Sequence, residues 1–196
     1  MGFVVPQVVT EDRASGAPIV DGSLKFDSSK TQYLTRTPGS VGNRKTWTWS
    51  GWVKRNKLGA SQPFFSGVQD GNNATVVSFD SNDRIDFYNY TSGYSGRRVT
   101  SAVYRDTSSW YHIVLIWNYA STEIKIYVNG TEVTNFGTTG NPSADSIVNS
   151  TNPNYIGSDT GFNNQEASIQ LSNVYFIDGQ ALGSEYFGYT DPLTNT

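Results

Sequence analysis

The chain has 196 residues, of which 36% are hydrophobic and 16% are charged, a length and balance that suit one β-sandwich domain with its own core. Its net charge of −3 argues against a nucleic-acid binder that depends on phosphate neutralisation, and the lack of cysteine excludes disulfides and thiolate metal sites. No apolar run approaches the roughly 20 residues of a membrane span, so neither nucleic acid nor a membrane is predicted as a partner.

Residues 1–22 are predicted to form an extended N-terminal arm that contains Pro6 and Pro18. A short Val-rich segment can add as an extra strand to the open sheet edge of a neighbouring molecule, so the apolar residues of the arm are candidate protein–protein contacts. They are Phe3, Val4, Val5, Val8 and Val9. The alternative is that the arm packs on its own domain. The segment lacks the basic start and long apolar core of a secretory signal, and we expect a protein made in a cytoplasm without an export address.

Period-2 alternation dominates from residue 23 onwards, and no segment shows a convincing helical period. Gly67 and Asp70-Gly71 are predicted to separate short apolar runs, and Asn82-Asp83 is predicted to form the next turn. About a dozen short strands with turns at roughly 8–12-residue spacing predict a single all-β domain, either a sandwich or a barrel.

The clearest strand pair lies between residues 111 and 130. The apolar run Tyr111–Trp117 predicts a central strand, and Glu123–Val128 predicts its partner. Asn129-Gly130 follows directly, and this dipeptide is the strongest short hairpin signal because both positions tolerate positive φ.

Five segments follow one another in an order that resembles laminin-G-like domains. They are SLKFDSSKTQYLTRTPGS (23–40), WTWSGWVKR (47–55), SSWYHIVLIWN with IKIYVNGTEV (108–133), NYIGSD (154–159) and IQLSNVYFIDGQAL (169–182). The resemblance covers about residues 23–190 and leaves 191–196 as a C-terminal tail. It implies an all-β, concanavalin A-like jelly-roll β-sandwich of two antiparallel sheets, with the tryptophans in the core. These are Trp47, Trp49, Trp52, Trp110 and Trp117.

The segment VYFIDGQALGSEYFGYTD (174–191) is similar to the ending of single-domain sandwiches in marine bacteriophage virions and fibres. That similarity implies a structural subunit of a virion, such as a capsid decoration, head-fibre or tail-fibre protein, assembled in the host cytoplasm. The partners expected for such a subunit are other virion proteins and further copies of itself.

Glucanases share this fold, so the sequence must be tested for catalytic groups. Glycoside hydrolysis needs two carboxylates flanking the bond, and the glucanases of the family present them in a Glu-x-Asp-x-x-Glu run that this sequence lacks. His112 is the only histidine, and its strand resembles a packed structural position of the family, which argues against a Ser-His-Asp arrangement. We therefore predict a binding protein that is not an enzyme.

Tyrosine and arginine gather between residues 88 and 98, and both residue types are enriched at binding hot spots. The candidate surface for a glycan or a protein partner consists of Tyr88, Tyr90, Tyr94, Arg97 and Arg98. A lectin module that recognises host or surface glycans is therefore the alternative function. The competing structural interpretation is that the tyrosines cover a strand face while the arginine pair is solvated.

The resemblance makes Ca²⁺ a candidate cofactor. Some relatives hold Ca²⁺ between loops at the edge of the sandwich through Asp side chains and backbone carbonyls. The available oxygen donors are Asp159 and the predicted turn that contains Asp80 and Asp83. Turn formation alone also accounts for Asp at such positions. The first expectation is therefore no cofactor, with Ca²⁺ as the alternative.

Overall fold

A computed structural model describes residues 22–188 of the chain. Over this range the chain forms two antiparallel β-sheets that pack face to face, which confirms the predicted all-β jelly-roll sandwich. Helix within the described range is limited to two single 3₁₀ turns, Ser28–Lys30 and Ser184–Tyr186. No helix in this range is long and apolar enough to cross a membrane.

Thirteen strands occur between residues 22 and 188. In chain order they are β1 Leu24–Lys25, β2 Leu34–Arg36, β3 Thr46–Arg55, β4 Gln62–Asp70, β5 Asn73–Phe79, β6 Ile85–Thr91, β7 Tyr94–Thr100, β8 Tyr111–Asn118, β9 Glu123–Val128, β10 Thr131–Glu132, β11 Phe136–Gly140, β12 Asn154–Ile156 and β13 Ile169–Asp178. One sheet has six strands in the order β1-β13-β3-β8-β9-β10, and the other has seven in the order β11-β7-β6-β5-β4-β12-β2. The terminal strands β1 and β2 line one common cavity, so they lie at the same edge of the sandwich.

Strand β8 lies between β3 and β9 in the six-stranded sheet, which is the central place that its apolar sequence predicts. The turn between β9 and β10 consists of Asn129 (φ 50°) and Gly130 (φ 79°). A two-residue type I′ turn requires positive φ at both central positions, and the predicted Asn-Gly hairpin is therefore confirmed.

The inner faces of the two sheets meet in an aromatic core. Trp47 and Trp49 of β3 are both fully buried, because residues two apart in a strand point to the same face. Their rings lie 5.7 Å from Phe87 and 5.4 Å from Phe64 of the opposite sheet. Trp117 of β8 adds to this layer at 6.0 Å from Phe87. These aromatic contacts across the sandwich fix the distance between the sheets.

Two of the tryptophans predicted in the core are not part of it. Trp52 and Trp110 are only half-buried. Trp52 follows Trp49 by an odd number of residues, so strand alternation turns it to the outer face. There it stacks on His112 with ring centroids 4.9 Å apart.

The prediction that Gly67 separates two strands is wrong, because β4 runs through it from Gln62 to Asp70. An ideal Cβ at this position would lie 2.8 Å from the backbone N and Cα of Val148. A glycine inside a strand often marks the close approach of another backbone, and that reason applies here instead of a turn.

Irregular segments cover part of each outer face. Residues 157–167 lie over the seven-stranded sheet, where the Ser66 hydroxyl donates to the Ser158 carbonyl at 2.7 Å. Residues 179–187 lie over the six-stranded sheet, where the Leu182 N–H donates to the Thr48 hydroxyl at 2.9 Å. The segment 157–167 supplies part of the candidate site.

Candidate functional site

The predicted tyrosines come together on the outer face of the seven-stranded sheet. Tyr88 and Tyr90 of β6 point outward on alternate positions, while Phe87, directly before Tyr88, points into the core. Tyr94 begins β7 and pairs with Tyr90 across the turn. Phe162 reaches the same place from the segment 157–167, with its ring 5.5 Å from that of Tyr90. Together these residues and Arg97 form the tyrosine cluster, which consists of Tyr88, Tyr90, Tyr94, Phe162 and Arg97.

Within the tyrosine cluster, solvent reaches Tyr94 far more than Tyr88. The Tyr94 side chain is 57% exposed, whereas Tyr88 is 7% exposed. Tyr94 meets Tyr88 edge-to-face at 5.6 Å and Tyr90 at 5.3 Å. Burial raises the pKa of the Tyr88 hydroxyl well above its ordinary value. Tyr88 therefore supports the cluster from beneath, and Tyr94 forms its accessible surface.

Arg97 fixes one side of the exposed ring. Its guanidinium carbon lies 4.4 Å from the centroid of Tyr94, a distance suited to a cation–π contact. The same guanidinium donates to both carboxylate oxygens of Asp86, at 3.0 and 2.6 Å. Burial raises the pKa of Asp86 against the opposing effect of Arg97, and the hydrogen bonds to Asp86 raise the pKa of Arg97. The ion pair thus holds a cation beside Tyr94.

Arg98 is not part of the tyrosine cluster, although it was grouped with Arg97 on the sequence. Neighbouring residues of a strand point to opposite faces, and Arg98 pairs in register with the inward-pointing Phe87. Its guanidinium donates to the Gly140 carbonyl (2.8 Å) and the Asn141 side chain (2.7 Å). Nor is either arginine simply solvated, since both are partly buried and hydrogen-bonded.

Phe162 is the member of the cluster that the sequence prediction missed. Asp159 organises its segment: one carboxylate oxygen accepts from the Gln165 N–H at 2.7 Å, and the other accepts from the Asn163 side chain at 3.0 Å. That Asn163 amide also donates to the Tyr88 hydroxyl at 3.3 Å. The only signal in the sequence is a lone aromatic residue within a polar stretch.

The candidate calcium ligands are spread over two places, and each carboxylate already has partners. Asp80 accepts from the Arg84 guanidinium at 2.9 and 2.7 Å, while Asp83 accepts from Arg55 and Arg105, each at 2.9 Å. Asp159 is fully buried within its own segment, and burial raises its pKa. Within residues 22–188 no three acidic or His side chains come close enough to hold a metal ion. This donor set does not fit Ca²⁺, and calcium binding stays a prediction without support from the geometry.

His112 is hydrogen-bonded to a serine, as in a catalytic Ser-His pair, but both side chains are buried. Its Nε2 lies 3.0 Å from the hydroxyl of Ser50. The serine is 1% exposed and the histidine 8% exposed, and burial lowers the pKa of the imidazole. A substrate has no open approach to the Ser50 oxygen, so the pair is explained by packing on the outer face of β3 and β8.

The proposed contacts of the N-terminal arm, which are Phe3, Val4, Val5, Val8 and Val9, lie outside the described residues. The same holds for the tail 191–196.

Solved structures with this fold include an arabinanase domain, a pair of laminin domains and a pentraxin. Domain 4 of AbnA, a GH43 extracellular arabinanase of Geobacillus stearothermophilus solved with arabinotriose, is 18% identical with a TM-score of 0.56 over 74% of this chain and 65% of its own. Domains LG4-5 of the mouse laminin α1 chain are 13% identical with a TM-score of 0.61, over 88% of this chain and 47% of theirs. A SAP-like pentraxin of Limulus polyphemus is 16% identical with a TM-score of 0.52, over 79% and 74%. These likenesses establish a shared fold. The chain spans less than two thirds of the first two proteins.

No curated protein matches the chain in sequence. Residues 27–185 match a laminin G family profile described as the concanavalin A-like lectin/glucanases superfamily. This match covers most of the chain and agrees with the two-sheet sandwich. The chain therefore belongs to the concanavalin A-like lectin/glucanases superfamily.

Proposed function

We propose that this chain is a non-enzymatic carbohydrate-binding domain that binds glycans at the tyrosine cluster. The observation that carries the proposal is the Tyr94 ring, which is 57% exposed although Tyr88, Tyr90 and Arg97 hold it in place. Aromatic rings with a few placed polar groups are the usual lining of small-ligand sites, and a sugar offers C–H groups to the ring and hydroxyls to the polar groups. A tyrosine ring that is already fixed loses little conformational entropy on binding.

The Asp86–Arg97 pair supplies the polar side of this surface. A guanidinium carries five N–H donors, and the pair to Asp86 uses two of them. Donors beside an aromatic ring match the hydroxyl oxygens of a sugar. The fold shared with an arabinanase domain solved with arabinotriose supports a glycan as the class of ligand.

The non-enzymatic part of the proposal is supported by the acidic residues and by His112. The sequence contains no Glu-x-Asp-x-x-Glu run, and Ser50 and His112 are both buried. Two carboxylates lie near the tyrosine cluster, and both are buried. Asp86 is paired with Arg97, and Asp159 accepts hydrogen bonds within its own segment. Hydrolysis requires two carboxylates that flank the glycosidic bond.

Replacing Tyr94 with alanine is expected to weaken glycan binding about tenfold or more, because an exposed aromatic hot spot contributes upwards of about 1.4 kcal/mol. Glycan arrays with and without Ca²⁺ identify the ligand, and calorimetry then measures the affinity of each variant. Tyr94→Phe keeps the ring and should retain most of the binding.

Tyr186→Ala is the matched control, because Tyr186 is 66% exposed and lies in the 3₁₀ turn Ser184–Tyr186, away from the tyrosine cluster. This variant should bind glycans as the wild type does. An array without hits, or equal affinities for Tyr94→Ala and the wild type, would refute the glycan site.

We also propose that the domain serves as a structural subunit of a bacteriophage virion, as a capsid decoration, head-fibre or tail-fibre protein. The support is the likeness of residues 174–191 to the ending of phage sandwich domains, together with the apolar arm of residues 1–22. The two functions are compatible, because a virion protein can also attach the particle to a host or environmental polysaccharide.

Deleting residues 1–22 is expected to abolish incorporation of the protein into particles, because the arm supplies contacts to neighbouring virion proteins. Circular dichroism should show that the sandwich remains folded. Incorporation is measured by mass spectrometry of purified particles that carry the deleted or the full-length gene. Undiminished incorporation of the deleted protein would exclude this role of the arm.

A further inference from the structure

We propose that the apolar N-terminal segment 3–9 binds in the groove between the two sheets of its own chain, at the edge formed by β1 and β2. The occupant is a segment of the same polypeptide, and the groove is built from described residues. This assignment goes beyond glycan binding and does not rest on it. It competes with the virion contacts proposed for the same arm, because residues 3–9 cannot occupy this groove and bind a neighbouring molecule at the same time.

The groove consists of two adjoining cavities of about 560 and 460 Å³. They share Leu34, Ile156 and Val174 as lining residues, so they form one continuous opening. Most of the remaining lining is apolar, and Arg36 is its one charged residue. Cavities in this size range are typical of sites that bury a ligand, and an apolar lining favours an apolar occupant.

Two buried polar atoms belong to residues that line this groove. The indole Nε1 of Trp49 and the amide Oδ1 of Asn154 have no hydrogen-bond partner within residues 22–188. One is a donor and the other an acceptor, and leaving such groups unpaired costs about 1–3 kcal/mol each. A peptide backbone offers a carbonyl to the first and an N–H to the second. A hydrocarbon ligand offers neither.

The groove lies at the edge of both sheets. Among the described strands, β1 pairs with β13 alone and β2 pairs with β12 alone. Both edges expose an apolar side chain, since Leu24 is 56% and Leu34 is 48% exposed. An extended peptide that lies along such an edge gains main-chain hydrogen bonds and covers the leucines.

The N-terminal segment matches this groove in position, length and composition. Gly22 lines the groove, so the preceding chain starts at its mouth. Residues 10–21 can span about 40 Å and residues 3–9 about 23 Å when extended, which is enough to reach along the opening. Residues 1–10 contain no charged side chain. The five apolar residues Phe3, Val4, Val5, Val8 and Val9 fall on both alternate sets of positions, which suits a strand that is covered on both faces. Pro6 has no N–H to donate and fits only at the edge of a sheet, which is the place proposed here.

The tether favours the segment of the same chain over that of a second copy. A short linker holds its end at an effective concentration of the order of millimolar, far above the concentration of other copies in a dilute solution. Exchange of the segment between copies, as in domain swapping, would require concentrations near that value.

Engineered cysteines test the contact directly, because the chain contains no cysteine. Leu34→Cys is combined in turn with Val4→Cys, Val5→Cys, Val8→Cys or Val9→Cys in the full-length protein at micromolar concentration. Mild oxidation should give an intramolecular disulfide in at least one pair, seen as a shifted monomer band and a mass loss of two hydrogens. Leu58→Cys, at a position that is also exposed and outside the groove, is the matched control and should not cross-link.

Hydrogen exchange of the cysteine-free protein gives a second measurement. Amides of residues 3–9 should exchange at least about tenfold more slowly than in a free peptide of the same sequence, and Val5→Asp combined with Val8→Asp should remove this protection. Exchange at the free-peptide rate in the wild type would overturn the proposal. So would cross-linked dimers in place of monomers, which assign the groove to a second copy, or equal cross-linking at Leu58→Cys.

Discussion

Replacing Asp83 with asparagine is expected to lower the free energy of unfolding by about 3–5 kcal/mol, because a buried arginine then loses its counter-ion. The Arg55 side chain has no solvent exposure, and its Nη2 lies 2.9 Å from Asp83 Oδ1. The guanidinium stacks on Phe79 at 4.4 Å and donates to the carbonyls of Tyr104 and Lys57. These contacts hold the guanidinium in place but do not neutralise it. Urea unfolding followed by tryptophan fluorescence measures the loss.

Asparagine removes the charge and one acceptor, because its amide nitrogen takes the place of the Asp83 Oδ2 that accepts from the Arg105 Nε. Asp83 has a φ of 66°, a left-handed conformation that Asn adopts as readily as Asp. The amide oxygen can still accept the hydrogen bond from the Gly59 N–H, which lies 2.9 Å from the carboxylate. The loss of stability in Asp83→Asn beyond the loss caused by removing Arg105 therefore reports the missing charge beside Arg55.

Arg105→Gln is the control for this ion pair. The Nε of Arg105 lies 2.9 Å from the other oxygen of Asp83, but its side chain is 60% exposed. Solvent-exposed ion pairs contribute about 1 kcal/mol or less, so this variant should be close to the wild type in stability. Equal losses in the two variants would contradict the account, because they would make the exposed pair as important as the buried one.

The pH dependence gives an independent measurement of the same carboxylate. The hydrogen bond from the Gly59 N–H, and after it those from Arg105 and Arg55, lower the pKa of Asp83 from 3.8 to about 2 against the opposing effect of burial. Because the folded pKa lies below the unfolded one, the stabilisation is present above about pH 4 and is lost as the pH falls towards 2. The difference in stability between wild type and Asp83→Asn should therefore shrink across this window. A constant difference would argue against the charge as its source.

Local signals in the sequence account for most of the strands. Asn129-Gly130 predicts its hairpin because two residues alone determine the type I′ turn. The apolar run 111–117 predicts a central strand because burial on both faces leaves no room for polar alternation. The Asp83–Arg55 pair has no such signal, since its partners meet only when the turn after β5 closes against the end of β3. Contacts of this kind follow from the fold as a whole.

The candidate site divides along the same line. Tyr88 and Tyr90 could be grouped because residues two apart share a strand face, and the same rule separates Arg97 from Arg98. Strand alternation thus places the two arginines on opposite faces, although their adjacency and like charge favour grouping them on the sequence. Phe162 could not be predicted, because the segment 157–167 is placed over the sheet by non-local hydrogen bonds such as that from Ser66 to Ser158.

Replacing Gly67 with alanine is expected to lower the free energy of unfolding by about 3 kcal/mol, the upper end for overpacking in a core. The new Cβ would lie 2.8 Å from the backbone N and Cα of Val148 and 2.9 Å from Asn154 Oδ1. The side chain of Asn154 can move, but the backbone of Val148 is tied in place. The Thr75 hydroxyl accepts from the Ile147 N–H at 2.7 Å, so relief of the clash breaks a buried hydrogen bond between β5 and the segment that carries Val148.

Gly71→Ala is the matched control, because Gly71 lies in the turn that ends the same strand and a Cβ there would meet nothing within 4 Å. Thermal and urea unfolding should show a large loss for Gly67→Ala and a small change for Gly71→Ala. Similar values for both would mean that the segment carrying Val148 yields easily, and that the close approach of the two backbones is not needed to hold it between the sheets. A large difference would identify this approach as the reason that a glycine stands inside β4.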